Sequence, residues 1–120
     1  MGEVRVCSER EGLVYGSFQV LEGWWPRLRG LLGPFEGARP VLLARCRSIH
    51  TFGMAFPIDV ALVRADGLVV RVARALPAWR VLGRRGTAYV LERPASVLPW
   101  PSPDERIVTE RVKVGGPECK

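Results

Sequence analysis

The stretch Ile58-Asp59-Val60-Ala61-Leu62-Val63-Arg64-Ala65-Asp66-Gly67-Leu68-Val69-Val70-Arg71-Val72-Ala73-Arg74 decides the fold. Two apolar, β-rich runs flank Ala65-Asp66-Gly67, and an Asp-Gly turn between such runs predicts a β-hairpin. Its glycine supplies the positive φ that a tight reversal needs. Outward from this hairpin the punctuation stays that of a β-protein. Ten Pro and thirteen Gly cut the chain into short apolar runs, at the roughly ten-residue spacing of a sandwich or barrel. Further strands are expected at 4–7, 13–21, 40–45, 79–82, 88–92 and 107–114. Within 13–21, Val14, Gly16, Phe18 and Val20 alternate with Tyr15, Ser17, Gln19 and Leu21, as in a half-buried strand.

One helix is expected, around residues 24–32. There Trp24, Trp25, Leu28, Leu31 and Leu32 fall near helical spacing, Pro26 suits a first turn, and Gly33-Pro34 ends the element. Pro99, Pro101 and Pro103 make a stiff connection that cannot join a central ladder. Residues 115–120 read as a frayed tail. The expectation is a mainly β, single-domain chain over 1–120, a β-sandwich or jelly-roll-like barrel with one short helix.

Length and composition agree with that class. A chain of 120 residues, 48% hydrophobic and 25% charged, supports one core and looks like an ordinary globular protein. It has no apolar run of the ~18 residues a membrane helix needs, and residues 1–10 show no signal core, so a cytoplasmic location is expected. Cys7, Cys46 and Cys119 are scattered and odd in number, with neither a disulfide framework nor a CxxC pair. They read as free thiols.

The formal charge of +6 is concentrated. Residues 45–93 hold nine Arg against Asp59, Asp66 and Glu92, which gives 9 − 3 = +6, so the remainder sums to zero. Such a segment can steer an acidic partner. Sixteen Arg against two Lys also fits the codon usage of a GC-rich genome. The one true cluster is Arg84-Arg85, in a turn between Gly83 and Gly86. No nucleic-acid-binding motif accompanies it, which argues against a nucleic-acid partner.

Chemistry-bearing residues gather in Cys46-Arg47-Ser48-Ile49-His50-Thr51-Phe52-Gly53-Met54-Ala55-Phe56-Pro57-Ile58-Asp59-Val60, which holds the only histidine. Cys46, His50 and Met54 form a C-x3-H-x3-M set, the soft donors that suit copper(I). In a regular strand they would share a face, yet lie about 13 Å apart at ~3.3 Å per residue, too far for one ion. A His50–Asp59 pair would make a general base, with Cys46 or Ser48 as nucleophile. No nucleophile elbow or phosphate loop supports that reading. A buried Asp59 needs a partner in any case, for which Arg29, Arg47 or His50 could serve. Trp79-Arg80, close in sequence to Arg84-Arg85, could edge a basic, aromatic patch, since Trp and Arg are enriched at binding hot spots.

In order and spacing, several motifs resemble the domain of unknown function 192 family of small bacterial and archaeal proteins. They are residues 27–33 (Arg-Leu-Arg-Gly-Leu-Leu-Gly), 49–54 with 56–60, Asp66-Gly67-Leu68-Val69-Val70, Pro77-Ala78-Trp79-Arg80 and Tyr89-Val90-Leu91-Glu92. The likeness covers roughly residues 15–95 and implies a mostly β, jelly-roll-type domain with one short helix. It implies no reaction, because the family has no established catalytic residues. Many members carry a longer connection before the Pro-x-Asp and a secretion signal, and this chain departs from both.

These readings converge on a non-enzymatic binding or accessory module whose candidate site comprises His50, Met54, Asp59, Trp79 and Arg80. An acidic protein or a small ligand is the expected partner, and no cofactor is called for. The alternatives are an enzyme or soft-metal site using His50 with Cys46, Met54 or Asp59, and nucleic-acid binding by a basic face.

Overall fold

The computed structural model describes residues 2–22, 39–51, 54 and 56–112. The expected helix around 24–32, Trp24 and Trp25, Cys119 and the tail at 115–120 lie outside them. Among the described residues there are nine strands and no helix: β1 Glu3–Ser8, β2 Val14–Leu21, β3 Val41–Ala44, β4 Ser48–His50, β5 Ile58–Val63, β6 Val69–Leu76, β7 Val81–Gly83, β8 Tyr89–Pro94 and β9 Ile107–Arg111. None of the described residues forms a helix long and apolar enough to cross a membrane. The mainly β expectation holds.

Seven strands form one sheet in the order β6-β5-β8-β3-β2-β1-β9, while β4 and β7 pair as a separate two-stranded ribbon. All pairs are antiparallel except β2 with β3. The sheet curls so that its two edges meet at one end. There Leu68 bridges Arg106, and backbone hydrogen bonds join Val69 to Glu105 and Ile107 to Gly67. Gly67, the turn glycine of the β5–β6 hairpin, has φ 91°, and a Cβ there would lie 2.6 Å from the Ile107 carbonyl oxygen. The residue that turns the hairpin thus also lets the edges touch.

Alternation along the strands divides the core into two layers. Val6, Phe18, Leu42, Ala61, Val63, Val69, Leu91 and Ile107 pack around Trp100 in the hollow of the curl. Leu21, Val41, Leu43, Ile58, Val60, Leu62 and Val90 face the other way and meet Ile49 of β4 and Leu82 of β7. The ribbon is therefore a lid over the outer face. The proline-rich connection forms no strand, as expected, but it carries the inner layer's plug. Trp100 packs against Phe18 with centroids 6.0 Å apart and donates its indole N–H to the Val60 carbonyl at 3.1 Å.

Two expectations need correction. The strand expected at 79–82 begins only at Val81, because Trp79 takes φ 65° and gives its N–H to the Thr51 carbonyl, outside the β4–β7 ladder. Cys7 is disulfide-bonded, so among the described residues only Cys46 is a free thiol.

Candidate functional site

The end of the edge strand β6 and its connection to the ribbon strand β7 contain two strained residues. Ala75 and Trp79 have φ 53° and 65°, in the left-handed region that costs an L-residue roughly 1–2 kcal/mol. A buried polar side chain from the run 46–60 holds each of them.

Asp59 holds the first. Ile58 faces Leu76 and Val60 faces Ala73, so two residues of β6 oppose Asp59 alone, a β-bulge. A bulge leaves a backbone N–H without a ladder partner, and the Asp59 carboxylate accepts the one from Ala75 at 2.9 Å. The same carboxylate accepts from Arg93 Nε at 2.9 Å and from the Ser96 N–H at 3.2 Å, and pairs with Arg74 Nε at 3.3 Å. Arg93, itself buried, also donates to the Leu98 and Pro99 carbonyls and stacks 4.4 Å over Trp100. Asp59 is thus a satisfied structural hub. Among the described residues its cationic partners are Arg93 and Arg74, not Arg47 or His50, and Arg29 lies outside the described residues. Arg93 stands opposite Asp59 because β5 pairs with β8, two strands that are not consecutive in the chain.

Thr51 holds the second. Its hydroxyl donates to the Pro77 carbonyl at 2.7 Å and accepts from the Arg80 N–H at 2.8 Å. Its backbone N–H donates to the Arg80 carbonyl, and its carbonyl accepts from Trp79 and Met54. Thr51 is fully buried and Trp79 is 66% exposed. Beside Trp79 stand Arg80, also exposed, and Val81, which is 67% exposed and pairs in register with the exposed His50. A doubly clamped turn therefore holds an exposed tryptophan just ahead of the ribbon position at which Val81 faces the exposed His50.

The soft-donor set is not brought onto one face. Cys46 is buried in the outer layer, its thiol donating to the Ser48 carbonyl, and Met54 packs against that layer. His50, by contrast, is exposed. Burial pushes the Cys46 thiol up, away from the thiolate that a metal ligand or nucleophile requires. His50 and Asp59 do not pair either. Asp59 shares the inner face with Ala61 and Val63, whereas the ribbon carrying His50 covers the outer face.

A further residue of chemical interest lies outside the expected site. Glu92, in β8, is 2% exposed and alternates with Leu91 and Arg93, which places it on the outer-layer side with Val90 and Cys46. Burial pushes its carboxyl up to about 8, so it holds its proton at neutral pH. A charged residue ending the apolar run 88–91 is the signal that could have found it.

No family model and no curated protein matches the sequence. Solved structures resemble it in fold. One is a protein of unknown function from Novosphingobium aromaticivorans DSM 12444, at 15% identity over 88% of this chain and 83% of that one, with TM-score 0.64. Another is a "putative transcription regulator" from Sinorhizobium meliloti 1021, at 19% identity over 90% and 92%, with TM-score 0.59. At these identities the likeness concerns the fold alone, and it extends along most of all three chains.

Proposed function

We propose that this chain is a non-enzymatic binding module of the domain of unknown function 192 family, contacting an acidic protein partner through Trp79, His50 and Val81 with Arg80 at the rim. The observation that carries the reading is the left-handed backbone of Trp79, an exposed aromatic residue held in place by a fully buried threonine. Stability alone favours glycine at such a φ. Strain in a bulky surface residue, fixed by surrounding hydrogen bonds, is the mark of a functional constraint. Tryptophan and arginine are the side chains that most often anchor interfaces, and Arg80 supplies a fork for carboxylates. The ordered motifs support the family assignment. A disulfide at Cys7 favours an oxidising compartment over the cytoplasmic location expected from the first residues.

Affinity capture from an extract of the source cells, followed by titration of the purified partner, tests this. Trp79→Ala is expected to weaken binding at least tenfold, the loss of a hot-spot anchor. Val97→Ala, at a fully exposed apolar residue elsewhere, is expected to change it less than twofold. Equal affinities for wild type and Trp79→Ala would remove the proposed surface.

A further inference from the structure

At the other end of the β4–β7 ribbon from His50 and Trp79 lies a concavity of about 610 Å³ lined by Arg47, Ser48, Gly83, Arg84, Arg85, Gly86 and Thr87. We propose that it binds a phosphate group. Its arginines come from two separate stretches of chain. Gly83 makes their meeting possible, because a Cβ there would lie 2.9 Å from the Ser48 Cβ. With no side chain at 83, β4 lies close against β7 and brings Arg47 beside Arg84 and Arg85. The turn is fixed from within, as the Thr87 hydroxyl and N–H both donate to the Arg84 carbonyl, at 2.7 and 3.2 Å.

Three exposed guanidinium groups therefore share a hollow that, among the described residues, no carboxylate lines. The carboxylates that pair with arginine elsewhere are already engaged: Asp66 by Arg64 and Arg106, and Asp59 by Arg93 and Arg74. Like charges gathered in a concave wall focus a positive potential that an anion relieves. Guanidinium forks match the oxygen geometry of phosphate, and the exposed Ser48 hydroxyl adds a donor. No aromatic side chain among the described residues lines the hollow, so they give it no stacking platform for the bases of a single strand. The geometry fits an isolated phosphate or phosphate monoester better than a polynucleotide.

Calorimetric titration of the full chain with inorganic phosphate at low salt, with chloride as control, tests the assignment. Saturable one-to-one binding is expected, weakened at least tenfold in Arg84→Gln/Arg85→Gln, weakened also in Arg47→Gln, and unchanged in Arg111→Gln on β9. Absence of saturation, or equal affinity in all variants, would overturn it. A second arm uses a single-stranded oligonucleotide without a terminal phosphate. If it binds with a steep salt dependence, a log–log slope of about −0.7 per phosphate contacted, and inorganic phosphate does not compete, the hollow tracks a strand and the phosphate-site proposal fails.

Discussion

Glu92→Gln is expected to be more stable than the wild-type protein at pH 8, and the two are expected to converge near pH 4. The Glu92 carboxyl is buried on the sheet's outer face and pushed up to about 8. A raised folded-state pKa means that the native state binds the proton more tightly than the unfolded chain. The associated stability is complete below the ordinary glutamate pKa, falls as pH rises from there to about 8, and is then lost. At about 1.4 kcal/mol per pH unit, the full loss is on the order of 5 kcal/mol. The glutamine side chain keeps the shape and has no proton to lose. Urea midpoints of the two proteins between pH 4 and 9 check this, and their difference cancels the titration of every other group. Parallel curves would show that Glu92 ionises as easily inside the fold as outside it.

The second large effect is expected at Asp59. Asp59→Ala should cost about 3–5 kcal/mol, because a buried guanidinium is left without its counter-charge. That is a large part of the ~5–15 kcal/mol holding a domain together. The Ala75 and Ser96 N–H groups lose their acceptor as well. Removing the stranded charge in Asp59→Ala/Arg93→Met should recover part of the loss, though not all, since Arg93 also ties down the Leu98 and Pro99 carbonyls. Arg74→Ala should cost under about 1 kcal/mol, as expected of a half-exposed partner. Denaturant unfolding of these variants beside the wild type measures the coupling. Additive losses would mean that the Asp59–Arg93 pair does not hold the sheet.

Both effects arise from strand alternation, which is the part of this fold most legible in the sequence. The hairpin at 58–74 can be read because an Asp-Gly turn interrupts two β-rich runs, and the same period assigns Asp59 and Arg93 to one face and Glu92 to the other. Legibility ends where the contact is long-range and irregular. Nothing in Pro99-Trp100-Pro101 indicates that the indole fills the curl and reaches the Val60 carbonyl. Residues 79–82 have the composition of a strand. Trp79 leaves it only because Thr51, far earlier in the chain, supplies a set of hydrogen bonds that local propensity cannot anticipate. In the run 46–60 the potential metal-ligating side chains stand out. Its threonine and aspartate instead act on the backbone of another segment, and sequence spacing does not reveal that role.

Central to the proposed binding surface is Trp79, held against its own backbone preference so that its ring is displayed. The most direct test compares the folding stabilities of Trp79→Ala and Trp79→Gly, which both lack the ring and differ in their tolerance of a left-handed φ. Glycine is expected to be the more stable by about 1 kcal/mol. If alanine is the more stable by ~0.5–1 kcal/mol, the ordinary order where φ is negative, residue 79 is not strained and its tryptophan needs no binding role to explain it.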